Sequence, residues 1–250
     1  MDLNCDMGES FGAYALGQDA AVMRFITSAN IACGYHAGDP LVMAATVALA
    51  ARHGVAMGAH PGYPDLQGFG RRNMDLTPEE VEAMTLYQIG ALAGFTRAAG
   101  VELVHVKPHG ALYNQAARDP ALAGAIARAV AKFSPRLILV GLAGSALMAA
   151  GEAAHLQTAS EAFPDRAYNP DGSLRSRKLP GALLADPTAV VAHALELATH
   201  GIKVEMGSLT RSIPVHTLCL HGDHPHSAEN ARRVRGALEA AGIQVARLGK

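Results

Sequence analysis

Three times this chain spells Asp-Pro at the head of a helix-prone stretch: Asp39-Pro40, Asp119-Pro120 and Asp186-Pro187. A carboxylate that caps free backbone N–H groups, followed by a residue with fixed φ and no N–H to lose, is a strong helix start. Thr77-Pro78-Glu79-Glu80 adds a capping box, and Gly54, Gly100, Gly151, Gly201 and Gly242 stand where helix ends need a left-handed residue. Helices are expected over residues 40–53, 78–99, 120–133, 145–150, 187–200 and 227–241. Short apolar runs alternate with them, at residues 2–5, 26–33, 55–59, 103–106, 137–140, 156–159 and 215–220. Continuous apolar strands alternating with helices predict a parallel sheet covered by helices. Residues 243–248 read either as an eighth strand or as an edge segment.

An open dinucleotide-binding sheet would carry G-x-G-x-x-G after its first strand. Here that turn reads Asp6-Met7-Gly8-Glu9-Ser10-Phe11-Gly12. Polar residues instead follow nearly every strand, as in a barrel whose strand ends converge on one mouth. The fold class is therefore α/β, an irregular, seven-stranded, TIM-like β/α barrel forming one domain over residues 1–250. Residues 61–76 and 161–184 lack periodicity and are too long for ordinary connections, which marks them as functional loops.

Several function classes drop out. The formal net charge is −1 with pI near 6.9, which disfavours nucleic acid and anionic membranes as partners. No run of 18 apolar residues suggests a membrane span, and no charged and apolar leader opens the chain. Cys5, Cys33 and Cys219 have no C-x-x-C spacing and read as reduced, buried thiols of a cytoplasmic protein. There is no P-loop, no G-x-S-x-G elbow and no H-E-x-x-H helix.

The candidate chemistry lies at the strand ends. Asp6 and Glu9 follow the first strand and read equally as helix caps or as holders of a water or metal. His36 sits in a glycine-flanked turn, whereas Asp39 is explained by capping and Cys33 by burial. His60 ends the third strand, and its loop continues through Asp65 to Gly68-Phe69-Gly70-Arg71-Arg72. Paired arginines in such a loop suit a carboxylate or phosphate, although one of them suits a loop salt bridge as well. Lys107-Pro108-His109-Gly110-Ala111-Leu112-Tyr113-Asn114 puts a cation, an imidazole, a phenol and an amide into eight residues. Lys107, beside a buried strand, needs an anionic partner. Glu161, Asp165 and Arg166 form either an ion pair or a base beside a substrate clamp. His221, Asp223, His224 and His226 could bind a metal. His53, His105, His155, His193, His200 and His216 read as structural.

Together these strings closely resemble the LamB/YcsF family. They are Asp2-Leu3-Asn4-Cys5-Asp6-Met7-Gly8-Glu9, residues 30–39 with His36, Gly58-Ala59-His60-Pro61 with residues 68–72, residues 107–113, and Glu161-Ala162-Phe163 with Asp165-Arg166. The resemblance implies a barrel akin to deacetylases and some glycosidases. It also implies a role as A subunit in ATP-dependent cleavage of 5-oxo-L-proline to L-glutamate, beside B and C subunits. ATP is then the implied cosubstrate, with Mg as a candidate counter-ion, and a tightly bound metal is left open. For such chemistry Arg71, Arg72 and Arg166 are expected to clamp anions, with Tyr113 and Glu161 also at the substrate. Lys107 is expected to give electrostatic stabilisation, and Asp6, Glu9, His36, His60 and His109 to hold water or act as base. Two other readings stand beside this one. The first is a metal-dependent deacetylase or amidohydrolase that works without ATP through Asp6, His36, His60 and His221. The second is a non-catalytic 5-oxoproline-binding subunit.

Overall fold

The computed structural model describes residues 1–207, 209–220 and 227–249. In chain order the elements are β1 (Asp2–Met7), α1 (Asp19–Val22), β2 (Ser28–Ala32), α2 (Pro40–His53), β3 (Ala56–His60) and α3 (Pro78–Ala98). Then come β4 (Leu103–Val106), α4 (Gly110–Ala116), α5 (Pro120–Phe133), β5 (Ile138–Leu142), α6 (Ala146–Ala153) and β6 (Gln157–Ala162). The chain continues with α7 (Pro187–His200), β7 (Ile202–Met206), β8 (Leu209–Ile213), β9 (Thr217–Leu220) and α8 (Ser227–Ala240). Strands β1 to β6 and β9 close a parallel seven-stranded barrel, with β9 seated between β6 and β1.

The expected helix starts hold. Asp39, Asp119 and Asp186 each accept from two backbone N–H groups of the helix they open, and Thr77 with Glu80 forms the full capping box. The sequence pattern predicts no element between Gly201 and Pro214, yet an antiparallel β7–β8 hairpin stands outside the barrel there. Helix α4 is likewise absent from the expected set and begins directly after His109. Residues 243–248 form no strand in the structure. Instead Ala246 N donates to Met1 O at 3.0 Å, and Leu248 packs on Ile138, Val140 and Ala159 across the strands' N-terminal end. Among the described residues no helix is long and apolar enough to cross a membrane.

The barrel interior is unusually polar, since parallel barrels are generally filled by branched aliphatic side chains. Alternate residues point to opposite faces of a strand. On β1 the alternation places Leu3, Cys5 and Met7 in the apolar layer shared with the helices, and Asp2, Asn4 and Asp6 inside. Asn4 Nδ2 donates to Thr217 Oγ1 at 2.7 Å and Glu161 Oε1 at 2.9 Å, across to β9 and β6. Asn30 Nδ2 of β2 donates to Asn4 Oδ1 at 2.7 Å and Asp6 Oδ1 at 2.9 Å. Asp2 Oδ1 accepts from Ser28 Oγ at 2.7 Å and Thr27 Oγ1 at 2.6 Å. These buried dipoles find their partners across the barrel, which is the condition for burying them at all.

His105 of β4 joins the network by donating from Nε2 to Asn30 Oδ1 at 2.8 Å. Gly58 pairs with it in register on β3, and a Cβ at Gly58 would lie 2.1 Å from the imidazole. Only glycine leaves room for this ring. Gly58→Ala should therefore cost about 1–3 kcal/mol or more through overpacking. In a chain of this size that lowers the thermal midpoint by about 2–12 °C; an unchanged midpoint would show that the interior yields.

Burial drives the His105 pKa down to about 3, with the Lys107 charge adding to the effect. An unfolded histidine titrates near 6.5. Below that pH the unfolded chain takes up a proton that the folded chain refuses. The His105 contribution is thus complete above about pH 6.5 and is lost as pH falls toward 3, at up to about 1.4 kcal/mol per pH unit. Urea unfolding midpoints between about pH 7 and 4 should fall less steeply in His105→Gln than in the parent chain; parallel curves would refute this.

Candidate active site

At the C-terminal end of the barrel the inner polar chain opens into a cavity of about 790 Å3. Its floor is built from Asp6 at the end of β1, Glu9 just beyond, His60 at the end of β3, and Lys107 and His109 after β4. Tyr113 of α4 and Phe163 flank them. The outer wall is strongly cationic, with Arg71, Arg118, Arg166, Arg175, Arg177 and Lys178. The cavity is thus acidic and imidazole-rich below and basic above.

Lys107 is the hub. Its Nζ lies 3.0 Å from Asp6 Oδ1, 2.8 Å from Glu161 Oε1, 3.1 Å from Asn4 Oδ1 and 3.0 Å from Cys219 Sγ. Burial would lower its pKa, but Asp6, Cys219 and Glu161 more than reverse that and hold it well above the usual lysine value. Burial would likewise raise the Asp6 carboxyl; His60 and Lys107 outweigh burial and hold it well below the usual carboxylate range. The ammonium therefore stays charged and Asp6 ionised. Burial and Glu161 push the Tyr113 phenol well up, so it stays neutral.

Three imidazoles sit over this pair. His60 donates from Nδ1 to Lys107 O at 2.7 Å, which aims Nε2 at Asp6 Oδ2, 3.3 Å away. His109 donates from Nε2 to Phe69 O at 2.8 Å, which aims Nδ1 at His60 Nε2, 3.0 Å away. His36, from the turn between β2 and α2, stacks on His109 with centroids 3.8 Å apart and an interplanar angle of 3°. Glu9 Oε1 lies 3.8 Å from both His36 Nε2 and His109 Nδ1. Burial, with the neighbouring imidazoles, drives His36 well below its usual pKa and His109 down to about 3. Both are neutral at ordinary pH and available as bases or ligands.

The loop after β3 closes over these rings. Phe69 holds a φ of 55° and turns its edge to His36 and His109, with ring centroids 5.9 and 5.2 Å away. A positive φ is costly for an aromatic residue and typical of functional sites. The return of this loop passes so close that a Cβ at Gly62 would lie 2.5 Å from His36 Nδ1, and one at Gly70 2.7 Å from His36 Cβ.

The structure brings Asp6, Glu9, His36, His60, Lys107, His109, Tyr113 and Glu161 into one cluster. It separates the two arginines of the β3 loop. Arg71 lines the cavity, with its guanidinium 4.9 Å from the Phe69 ring centroid. Arg72 is exposed, outside the cavity lining, and paired with Asp65, its Nε at 2.9 Å from Oδ1. Arg166 lines the cavity while donating to Arg175 O at 2.7 Å and Ala182 O at 3.4 Å, so it also shapes its own loop. Glu161 is the counter-ion of Lys107. His221, Asp223, His224 and His226 lie outside the described residues. Asn4, Asn30, Thr217 and Cys219 were not anticipated at the site; the i, i+2 repeat of polar residues along β1, β2 and β9 was the available signal.

Comparison with known proteins fits this geometry. A curated 5-oxoprolinase A subunit from Methylococcus capsulatus is 58% identical over 249 residues, covering 100% of this chain and 96% of that one. The crystal structure of a lactam utilization protein from Thermus thermophilus superposes with a TM-score of 0.91 at 49% identity, covering 99% of each chain. A structure of T48 deacetylase with substrate, at 14% identity and TM-score 0.50 over 99% of this chain and 88% of that one, shares the fold alone. The sequence model of the LamB/YcsF family matches residues 1–250, and the chain belongs to that family.

Proposed function

We propose that this chain is the A subunit of an ATP-dependent 5-oxoprolinase, opening the lactam of 5-oxo-L-proline to L-glutamate while ATP becomes ADP and phosphate. The observation that carries this reading is the full-length likeness to a chain named as a 5-oxoprolinase A subunit, at 58% identity. That name also supports assembly with further subunits, here taken as B and C. The cavity supplies what the chemistry requires.

A five-membered lactam is a poor electrophile. Phosphorylation of its carbonyl oxygen would make the ring carbon attackable by water. Departure of the ring nitrogen then needs a proton and leaves an acyl phosphate, which a second water cleaves to the side-chain carboxylate of glutamate and inorganic phosphate. In this reading Arg71, on the cavity wall, receives the substrate carboxylate, with Arg166 behind it. The cations Arg118, Arg175, Arg177 and Lys178 on the same wall face phosphate oxygens. Asp6, ionised and hydrogen-bonded by Asn30, orients His60 and with it the attacking water. His109, kept neutral by burial, takes the proton from that water and passes it to the ring nitrogen. Lys107 fixes Asp6 and lowers the cost of charge building above it.

The test is glutamate release by the chain combined with its partner subunits. Asp6→Asn, close to isosteric, should lower kcat/KM at least about 100-fold. Arg71→Ala should act mainly on the KM for 5-oxoproline, whereas Arg72→Ala should stay close to the parent value. Full turnover without ATP, or full activity in Asp6→Asn, would sink the reading.

A further inference from the structure

The hydrogen bonds around the imidazoles leave a conflict. His60 commits its Nδ1 proton to Lys107 O, and His109 commits its Nε2 proton to Phe69 O. Without a second proton on either ring the remaining nitrogens are bare lone pairs; they face each other at 3.0 Å, and His60 Nε2 also faces Asp6 Oδ2 at 3.3 Å. Lone pairs at that distance repel unless something positive lies between them. Beside them His36 is wholly buried with no hydrogen bond at either ring nitrogen. A polar ring buried without a partner is a group awaiting a ligand.

We propose that Glu9, His36, His60 and His109 form a binding site for one divalent cation of the zinc class. One ligand atom from each lies within 4.8 Å of the others; Glu9 Oε1 is 3.8 Å from His36 Nε2 and from His109 Nδ1, and His109 Nδ1 is 3.0 Å from His60 Nε2. The shorter separations, 3.0, 3.8 and 3.8 Å, bracket the roughly 3.4 Å edge of a tetrahedron with metal–nitrogen bonds of about 2.1 Å. Three neutral imidazoles and one carboxylate are a borderline donor set that suits zinc or cobalt rather than magnesium or calcium. Backbone carbonyls hold the far N–H of His60 and His109, the usual support behind metal-bound histidine. The ring of His36 must tilt out of its parallel stack on His109 to aim its lone pair, and no hydrogen bond holds it back. This donor set contains neither Asp6 nor His221, so Asp6 stays with Lys107 beside the cation. The site stands on geometry alone; its use as a Lewis acid toward the ring carbonyl rests on the lactam-cleaving reading, and with the cation bound the lone pairs of His60 and His109 are ligands, so Asp6 takes the water proton in their place.

The full-length chain, stripped with chelator, is titrated with Co2+ and then competed with Zn2+. Visible absorption reports coordination and elemental analysis reports stoichiometry. About one Co2+ per chain is expected, with the d–d bands of a four- or five-coordinate ion, displaced by Zn2+. Glu9→Gln and His36→Ala should each weaken binding at least about 10-fold. Glu9→Gln, nearly isosteric, serves where His36→Ala lowers the thermal midpoint. No uptake by the parent chain would overturn the site, leaving a proton on His60 to separate the two lone pairs. Uptake unchanged in both Glu9→Gln and His36→Ala would equally overturn it. Binding is read without substrate, so a loaded but inactive complex would refute the lactam-cleaving reading and leave the site standing.

Discussion

One buried ammonium group holds this barrel in order. Lys107 leaves the end of β4 and is met by Asn4 and Asp6 from β1, Glu161 from β6 and Cys219 from β9. An isolated charge in such a place would be untenable, and a half-complete set of partners would be worse than none. The ring of acceptors is therefore not optional once the lysine is inside. It fixes the register of opposite walls of the barrel relative to one another, a task that aliphatic packing performs without direction.

The same pairing prepares the chemistry. Two carboxylates surround one cation, so the floor keeps an excess of negative charge beside three imidazoles. That excess favours a positive species entering above it. The basic outer wall faces the opposite way, toward anionic groups. Between floor and wall the loop carrying Phe69 roofs the histidines, its backbone strain compensated by the hydrogen bond that Phe69 O accepts from His109. Polar middle, apolar stopper at the bottom and divided mouth form one continuous stack.

Much of this was legible in the residue pattern. The Asp-Pro and Thr-Pro caps located the helices, and polar residues at successive strand ends argued for a barrel mouth. His60, Lys107 and His109 stood out because proline and glycine pin their turns. What escaped was the inside. Asp2, Asn4 and Asp6, Ser28 and Asn30, Gly58 and His60, His105 and Lys107, and Thr217 and Cys219 are period-two repeats, but each strand also carries an unbroken-looking apolar set that masks them. Partners far apart in sequence were also hidden. Glu161 read as a base because nothing local reveals that Lys107 holds it. Arg72 could not be told from Arg71 until Asp65 was seen to claim it. The β7–β8 hairpin alternates in Ile202-Lys203-Val204, but Thr210-Arg211-Ser212 is polar throughout, and the hairpin adds no strand to the barrel and so breaks the expected order.

Closure of the inner network also bears on synthesis. Asn4 donates to Thr217, a contact that spans 213 residues. The first strand emerges from the ribosome with three polar side chains on its inner face and no wall opposite to receive them. It can pair with β2 early, but Asn4 lacks Thr217 and Glu161 until β6 and β9 have been made. Ordering so dependent on distant contacts folds slowly. For most of its translation the nascent chain is an open sheet with exposed edges, a state in which a chaperone has far more to bind than on the finished barrel.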